Sequence, residues 1–186
     1  MVKFILSCFY FFLPAYLTNM TPSLSAQLGF LKSLAKPLDF NKTFKGAPLL
    51  GSHKTWRGVI LGPTMGIFMV FLQKYLFSKF ALIREISFFD YQKENLFLFA
   101  LLITFGAVFG DLFFAFIKRR LNLEPGARFL PFDQINYVIG AAIFLTLFLE
   151  TNIAVEVWIT ILILTFLLHV TATQLGFLLG LSRSKW

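Results

Sequence analysis

The chain has 186 residues, of which 58% are hydrophobic and only 14% are charged. A soluble domain carries about 25% charged residues and is less than half apolar, so the composition excludes an ordinary soluble domain. The net charge of +8 does not indicate nucleic-acid binding, because the basic residues lie between long apolar stretches. In that position they set membrane orientation and contact anionic lipid or phosphate. Cys8 is the only cysteine, so no disulfide framework exists.

Five apolar stretches reach or approach the roughly 20 residues that a helix needs to cross a bilayer. They cover about residues 2–20, 57–77, 96–117, 135–149 and 153–180. The sequence therefore predicts a single all-α domain over residues 1–186, an integral membrane bundle of five transmembrane helices. The first stretch also resembles a cleaved signal peptide. The basic segment after it would then lie outside the cell, which disfavours that alternative.

The Lys and Arg residues are divided unequally between the two sides of such a bundle. Five lie on the side of the N-terminus: Lys3, Lys74, Lys79, Arg84 and Lys93. Twelve lie on the other side: Lys32, Lys36, Lys42, Lys45, Lys54, Arg57, Lys118, Arg119, Arg120, Arg128, Arg183 and Lys185. The more basic side of a membrane protein faces the cytoplasm. We therefore expect an outside N-terminus, a cytoplasmic C-terminus, and a cell-membrane protein whose chemistry faces the cytoplasm.

The segment from Pro22 to Lys36 has a helical apolar pattern of its own, with Leu24, Leu28, Leu31 and Ala35 at three- and four-residue spacing. This pattern predicts an interfacial or re-entrant helix against the cytoplasmic leaflet.

The first polar cluster opens the second predicted helix and reads Gly51-Ser52-His53-Lys54-Thr55-Trp56-Arg57-Gly58. Ser52 or Thr55 can cap the helix, while Lys54 and Arg57 share one side of it. Free amides at a helix start with two cations beside them suit a phosphate. A capped helix with basic membrane anchors is an equally good interpretation of the spacing.

The second cluster runs from Gly110 to Arg120 at the end of the third helix. Within it, Asp111 lies about 10 Å before Lys118 on nearly the same face of the helix. A carboxylate at membrane depth costs several kcal/mol unless it is paired or metal-bound, so a functional role is favoured. The alternative is a structural ion pair with a Lys or Arg of a neighbouring helix.

The third cluster, Asp133 and Asn136, lies on one side of the start of the fourth helix. With Asp111, it offers two acidic groups from different helices that could hold Mg²⁺ against a polyphosphate. Taken alone, Asp133 is more typical of a helix cap. His169, inside the fifth stretch, fits either a site role or a hydrogen bond to a neighbouring helix.

Taken together, these clusters resemble the CDP-archaeol synthase family of membrane cytidylyltransferases and, more distantly, CDP-diacylglycerol synthases. The resemblance covers most of the chain and rests on the following segments: Pro37-Leu38-Asp39, Gly51 to Gly58, Gly110-Asp111 to Arg120, Pro125-Gly126, Asp133-Gln134, Gly140-Ala141, His169, and Gly176 to Leu181.

The resemblance implies a reaction of CTP with a lipid phosphate that gives a CDP-lipid and pyrophosphate and requires Mg²⁺. It assigns catalysis to Asp111, Lys118 and Asp133, and the metal to Asp111, Asp133 and Asn136. Binding of the CTP and lipid phosphates falls to a wider set: Lys54, Thr55, Arg57, Lys118, Arg119 and Gln134.

The sequence departs from the family pattern at several positions. The pattern usually has Ser where Ala115 stands, Asp where Asn136 stands and Asn where Thr173 stands. The pattern also usually ends Lys-x-x-Pro-Trp, where this chain has Ser182-Arg183-Ser184-Lys185-Trp186. Asn136 matters most, because it removes a formal charge from the expected metal site, although an amide oxygen can still coordinate. The alternative function is therefore a catalytically silent member that binds lipid phosphate. A transporter is disfavoured because the sequence has no inverted repeat.

Overall fold

The computed structural model describes residues 1–124, 127, 129–149 and 152–178. In this part of the chain, five long helices pack into a bundle, and one short helix covers an end of it. The helices are α1 (Val2–Gln27), α2 (Trp56–Lys79), the short α3 (Ala81–Ile86), α4 (Leu96–Arg120), α5 (Phe132–Phe148) and α6 (Val155–Leu178). The connection between α1 and α2 contains a 3-10 turn, Lys32–Leu34, and an antiparallel hairpin of β1 (Thr43–Phe44) and β2 (Ala47–Pro48).

Four of these helices, α1, α2, α4 and α6, are long and apolar enough to cross a membrane. Helix α5 has 17 residues, or about 25 Å at 1.5 Å per residue, which is less than the roughly 30 Å of a hydrocarbon core. The prediction of an all-α membrane protein with several spans is confirmed. Each of the five predicted stretches corresponds to a helix, although the expected end at residue 180 lies outside the described residues.

The predicted interfacial helix from Pro22 to Lys36 is wrong. Helix α1 continues without a break to Gln27, and the rest of the segment is irregular apart from the turn at Lys32–Leu34. Helix α1 continues through Pro22, which packs against Gly58 of α2: a Cβ on Gly58 would lie 3.1 Å from Pro22 Cβ. The helix also passes Pro14, which cannot donate to the Tyr10 carbonyl. That carbonyl accepts instead from Gln73 Nε2 of α2 at 2.6 Å.

The end of the bundle near the α3–α4 connection is filled with aromatic side chains. Phe89 and Phe99 stack with their ring centroids 4.2 Å apart, and Tyr91 is 1% exposed. The two least exposed ion pairs of the described residues, Lys54–Asp111 and Lys118–Asp133, lie at the other end of the bundle. We call it the site end, and define it by the last turn of α4 and the first turns of α2 and α5.

Glycines let α4 and α5 approach almost to backbone contact near the site end. A Cβ on Gly140 would lie 2.2 Å from the Gly106 carbonyl oxygen, and one on Gly110 would lie 2.3 Å from the Asn136 carbonyl oxygen. Close approach through small residues is a common way to pack helices in membranes. The approach places Asp111 of α4 beside the first turn of α5, where Asp133 and Asn136 lie.

We predict that Gly140→Ala destabilises the bundle, because the new methyl group meets backbone that can yield only by separating α4 from α5. Overpacking of this kind costs about 1–3 kcal/mol. The measurement is the melting temperature of the purified protein in detergent. Leu147→Ala, at a position of the same helix that is 68% exposed, is the control. An unchanged melting temperature for Gly140→Ala would mean that α4 and α5 do not pack at this distance.

Candidate active site

Two Lys–Asp ion pairs join three helices at the site end. Lys54, just before α2, places its Nζ 2.7 Å from both carboxylate oxygens of Asp111 on α4. Lys118 on α4 places its Nζ 2.9 and 2.7 Å from the two oxygens of Asp133 on α5. Asn136 on α5 adds to the first pair, since its Nδ2 donates to Asp111 Oδ1 at 3.3 Å. The first turn of α5 thus contributes one residue beside each pair, Asp133 and Asn136.

The second pair is buried on its basic side, because the Lys118 side chain is 10% exposed while that of Asp133 is 33% exposed. A buried ammonium is costly without a partner, and Asp133 supplies the opposite charge beside Lys118. The Lys54–Asp111 pair is more open, with side-chain exposures of 27% and 30%. Both pairs therefore remain accessible to a ligand from one side.

The structure separates the alternatives for the three polar clusters. Thr55 caps α2, since its hydroxyl accepts from the Gly58 N–H at 3.4 Å. The ion pair with a neighbouring segment is the observed arrangement of Asp111. The helix-cap interpretation of Asp133 is wrong: α5 begins after Pro131, without a side-chain cap, and the Asp133 carboxylate accepts from the Phe129 N–H at 2.9 Å.

Two arginines at the site end are buried with unused donors. Arg57 is 8% exposed and donates from Nη1 to the Phe30 carbonyl at 3.1 Å, while Arg119 is 6% exposed and donates to the Leu123 carbonyl. Within the described ranges, the Nε of each has no hydrogen-bond partner. Buried guanidinium groups normally have their donors satisfied, so these two are suited to an anion, which Arg binds in a fork.

Arg120 has a different task, which the sequence did not reveal. Its guanidinium donates to the carbonyls of Phe44, Ala47 and Pro48 in the β1–β2 hairpin. It also lies over the rings of Phe44 and Phe116, at 5.4 and 5.0 Å from their centroids. Arg120 therefore fastens the hairpin to the end of α4.

Two cavities meet at the Lys54–Asp111 pair. The smaller one, of about 220 Å³, is polar, and we call it the polar cavity; it is lined by Leu50, Gly51, His53, Lys54, Asp111, Ala115, Lys118, Arg119, Asp133 and Asn136. The larger one, of about 540 Å³, lies between α1, α2 and α4, and we call it the interhelical cavity. Its lining includes Arg57, Thr55, Asn19 and Ser23 beside apolar side chains such as Val108 and Leu112. His53, Lys54 and Asp111 line both.

The cavities divide the residues predicted for the site. Lys54, Asp111, Lys118, Arg119, Asp133 and Asn136 line the polar cavity. Thr55 and Arg57 line the interhelical cavity, whereas Gln134 is buried and His169 is exposed on α6, and neither lines these two cavities. Part of the resemblance lies outside the described residues, namely Pro125, Gly126 and residues 179–181. Three of the predicted cytoplasmic basic residues also lie outside them: Arg128, Arg183 and Lys185.

Several lining residues were missed. His53 stands within the first cluster, but nothing in its spacing separates it from Ser52. Asn19 and Ser23 are four residues apart on α1, and their wall of the cavity exists because α1 extends to Gln27.

The side chains that line the polar cavity decide which metal ion it could hold. Among the described residues, no three or more His, Cys, Asp or Glu side chains group together to hold a metal. The polar cavity is lined by two carboxylates and by Asn136, whose amide nitrogen faces Asp111 and whose amide oxygen accepts from the Tyr137 N–H at 2.6 Å. This set fits Mg²⁺, which takes only one or two carboxylates from a protein and completes its shell with water and substrate phosphates. Both carboxylates are engaged with lysines in this structure.

Comparison with known proteins decides the family. A CarS-like CDP-archaeol synthase family profile matches residues 1–186. The chain belongs to the CDP-archaeol synthase family. CDP-archaeol synthases of Methanosarcina barkeri and Archaeoglobus fulgidus are 33% and 32% identical to it, over 94% and 100% of this chain and 99% and 100% of theirs. That of Thermofilum pendens is 34% identical over 94% of this chain and 78% of its own.

A solved structure gives the same result for the fold. It is described as an intramembrane enzyme for archaeal membrane lipids biosynthesis, is 25% identical, and superposes with a TM-score of 0.69 over 88% of this chain and 90% of that one. The expectation of a membrane enzyme of the CTP-dependent cytidylyltransferase class is therefore confirmed.

Proposed function

We propose that this chain transfers the cytidylyl group of CTP to the phosphate of a membrane lipid, giving a CDP-lipid and pyrophosphate. The observation that carries the proposal is the meeting of the polar and the interhelical cavity at Lys54 and Asp111. A nucleotide triphosphate and a lipid phosphate must come into contact for this reaction, and the junction is where the two cavities allow it.

The polar cavity suits the triphosphate of CTP. Lys118 and Arg119 supply cationic donors from consecutive residues of α4, and Lys54 faces them from the start of α2. An oxygen of the lipid phosphate attacks the α-phosphorus of CTP, the bond to the bridging oxygen of the β-phosphate breaks, and pyrophosphate leaves. Such a transfer needs positioning and charge stabilisation more than a covalent enzyme group. No strong base is required, because the attacking phosphate is already an anion.

The interhelical cavity suits the lipid phosphate. Its wall combines apolar side chains of α1 and α4 with one buried cation, Arg57. The apolar part fits alkyl chains near the glycerol, and the guanidinium fits the phosphate. Because the relatives are named CDP-archaeol synthases, we assign an archaeol-type lipid phosphate as the substrate.

Mg²⁺ would be held by Asp111, Asp133 and Asn136, and when bound it neutralises charge on the triphosphate. The chain's own residues then exchange partners. Lys54 and Lys118, which neutralise the two carboxylates in this structure, become free to donate to phosphate oxygens. The same two lysines thus keep the site neutral before substrate binds and bind the anion afterwards.

The direct test is incubation of the purified protein with labelled CTP, Mg²⁺ and a panel of lipid phosphates with isoprenoid ether or acyl ester chains. We expect labelled CDP-lipid and pyrophosphate, with preference for the ether lipid. The second candidate function, a silent lipid-phosphate-binding member, is favoured by Asn136 and by the engagement of both carboxylates with lysines. Binding of lipid phosphate without pyrophosphate release would support it against the enzyme.

We predict that Asp111→Asn abolishes CTP turnover while the protein stays folded, because a metal-binding carboxylate is lost without loss of volume. Lys118→Ala should instead weaken CTP binding by about 1.5–3 kcal/mol, the value of one charge-assisted contact. Turnover, CTP affinity and melting temperature are measured together. Lys79→Ala, at the far end of α2, is the control. Near-normal activity of Asp111→Asn would mean that its carboxylate is purely structural.

We predict that Asn136→Asp makes the protein dependent on Mg²⁺ for stability. The Asn136 amide lies 3.3 Å from Asp111, so an aspartate there places two carboxylates side by side, which repel unless a cation lies between them. The melting temperature should fall in EDTA and recover with Mg²⁺, and half-maximal activity should need less Mg²⁺ than in the wild type. A stability and activity that do not respond to Mg²⁺ would remove Asn136 from the assignment.

We further propose that α1, α2, α4, α5 and α6 all span the cell membrane, with the N-terminus outside and the site end and C-terminus in the cytoplasm. The unequal distribution of Lys and Arg supports this orientation. A cysteine introduced at Lys45, in a Cys8→Ser background, should be shielded from an impermeant thiol reagent in intact cells. One introduced at Asp90 should be labelled, and the reverse pattern would invert the orientation.

A further inference from the structure

Asp39 is a buried acidic residue in the connection between α1 and α2, and it lines neither of the two cavities. It is 8% exposed. Its carboxylate accepts three backbone N–H groups, from Asn41 at 3.0 Å, Leu50 at 2.9 Å and Gly51 at 3.2 Å. These bonds close the chain from residue 39 to residue 51 into a loop whose two ends are held by one side chain.

The far end of this loop is a wall of the polar cavity. Leu50 and Gly51 both line it. Gly51 has a φ of +99°, which L side chains rarely adopt, and a Cβ built there would lie 3.4 Å from Arg119 Nε. The Gly51 backbone therefore lies directly against the Arg119 guanidinium, whose position depends on where the loop places residue 51.

The opposite side of the loop is fastened to the same turn of α4. Arg120 donates to the carbonyls of Phe44, Ala47 and Pro48 in the hairpin between Asp39 and Leu50. Two consecutive residues of α4 thus contact the loop. Arg120 donates to the hairpin, and Arg119 lies beside Gly51 in the wall of the polar cavity. Asp39 is the only described acidic side chain in the connection, so nothing else there can replace its charge.

The charge state of Asp39 agrees with this geometry. Burial alone would raise the pKa of the Asp39 carboxyl, but the N–H groups of Leu50, Gly51 and Asn41 outweigh it and hold the pKa below its usual value. The carboxylate is therefore ionised throughout the neutral range. Its contribution is present above the unfolded pKa of about 3.9 and is lost only as the pH falls through the lower folded value.

We propose that Asp39 is a positioning residue for the nucleotide: through the backbone of Leu50 and Gly51 it sets the Arg119 guanidinium that binds the CTP phosphates. The inference rests on the proposed function in taking CTP as the ligand of the polar cavity. It predicts a selective defect, because Arg57, the cation assigned to the lipid phosphate, is held by the Phe30 carbonyl outside this loop. Loss of the Asp39 charge should weaken CTP binding and leave lipid-phosphate binding intact.

The test compares Asp39→Asn with Asp90→Asn in nanodiscs. Asp90 is a matched control, since its carboxylate also accepts a backbone N–H two residues on, from Gln92 at 3.0 Å, but it lies in the α3–α4 connection away from the site. In Asp39→Asn, the KM and the equilibrium Kd for CTP should both rise at least about tenfold, the loss of affinity expected when a charged hydrogen-bond acceptor is removed. The KM for lipid phosphate should stay within about twofold, and the ratio of the mutant to the wild-type KM for CTP should be constant from pH 5 to 8.

Gly51→Ala provides an independent variant, because an L side chain at a φ of +99° strains the backbone of the loop while Asp39 stays unchanged. It should reproduce the selective loss of CTP affinity. The inference is overturned if Asp39→Asn and Gly51→Ala both bind CTP with wild-type affinity. It is also overturned if the affinities for CTP and for lipid phosphate fall equally, or if Asp90→Asn loses as much CTP affinity as Asp39→Asn. If the wild type releases no pyrophosphate, the proposed transfer fails, and equilibrium CTP binding by the same variants still decides the role of Asp39.

Discussion

The pairing of two lysines with two aspartates at one end of an apolar bundle is the interaction on which the rest of the structure depends. A charged group near membrane depth is tolerated only with a partner, and each partner here comes from a different segment. Lys54 reaches Asp111 from the start of α2, and Lys118 reaches Asp133 from the end of α4. The helices must therefore meet at this end, and the glycines of α4 and α5 make the required approach possible.

The same pairs balance the charge of the site proposed for two anions. The lysines are compensated by carboxylates, while Arg57 and Arg119 have, in the described part of the chain, no partner for their Nε donors. In the proposed reaction, the triphosphate would replace the carboxylates as the partner of the lysines. A divalent cation would replace the lysines as the partner of the carboxylates. The number of unpaired buried charges would then not rise.

Much of this was predictable because the signals are local. Length and hydropathy identify the helices, and the segment from Gly51 to Gly58 offers Ser52 or Thr55 as a cap of α2, of which the structure shows Thr55. The depth of Asp111 in an apolar run marks it for a partner. The clusters also resemble a family that the comparisons then showed. The roles of Mg²⁺, Asp111, Asp133 and Asn136 stay predictions, since the structure shows where these residues lie and not what they bind.

What could not be predicted depends on contacts between distant segments. The interfacial helix was wrong because α1 continues through Pro22, which packs against Gly58 of α2, and no local pattern reveals that contact. The capping interpretation of Asp133 failed because Lys118 and the Phe129 amide take its carboxylate. Arg120 looked like one more cytoplasmic cation, yet its partners are carbonyls more than 70 residues away. Asp39 belonged to a motif without a role until the loop it closes was seen.

The most direct test of the exchange of partners is a structure of the protein with CTP and Mg²⁺ bound in a lipid environment. The account predicts the triphosphate in the polar cavity, in contact with Lys118 and Arg119, with Lys54 Nζ moved from Asp111 to a phosphate oxygen. A nucleotide bound elsewhere, or one bound while both Lys–Asp pairs keep their 2.7 Å contacts, would contradict it.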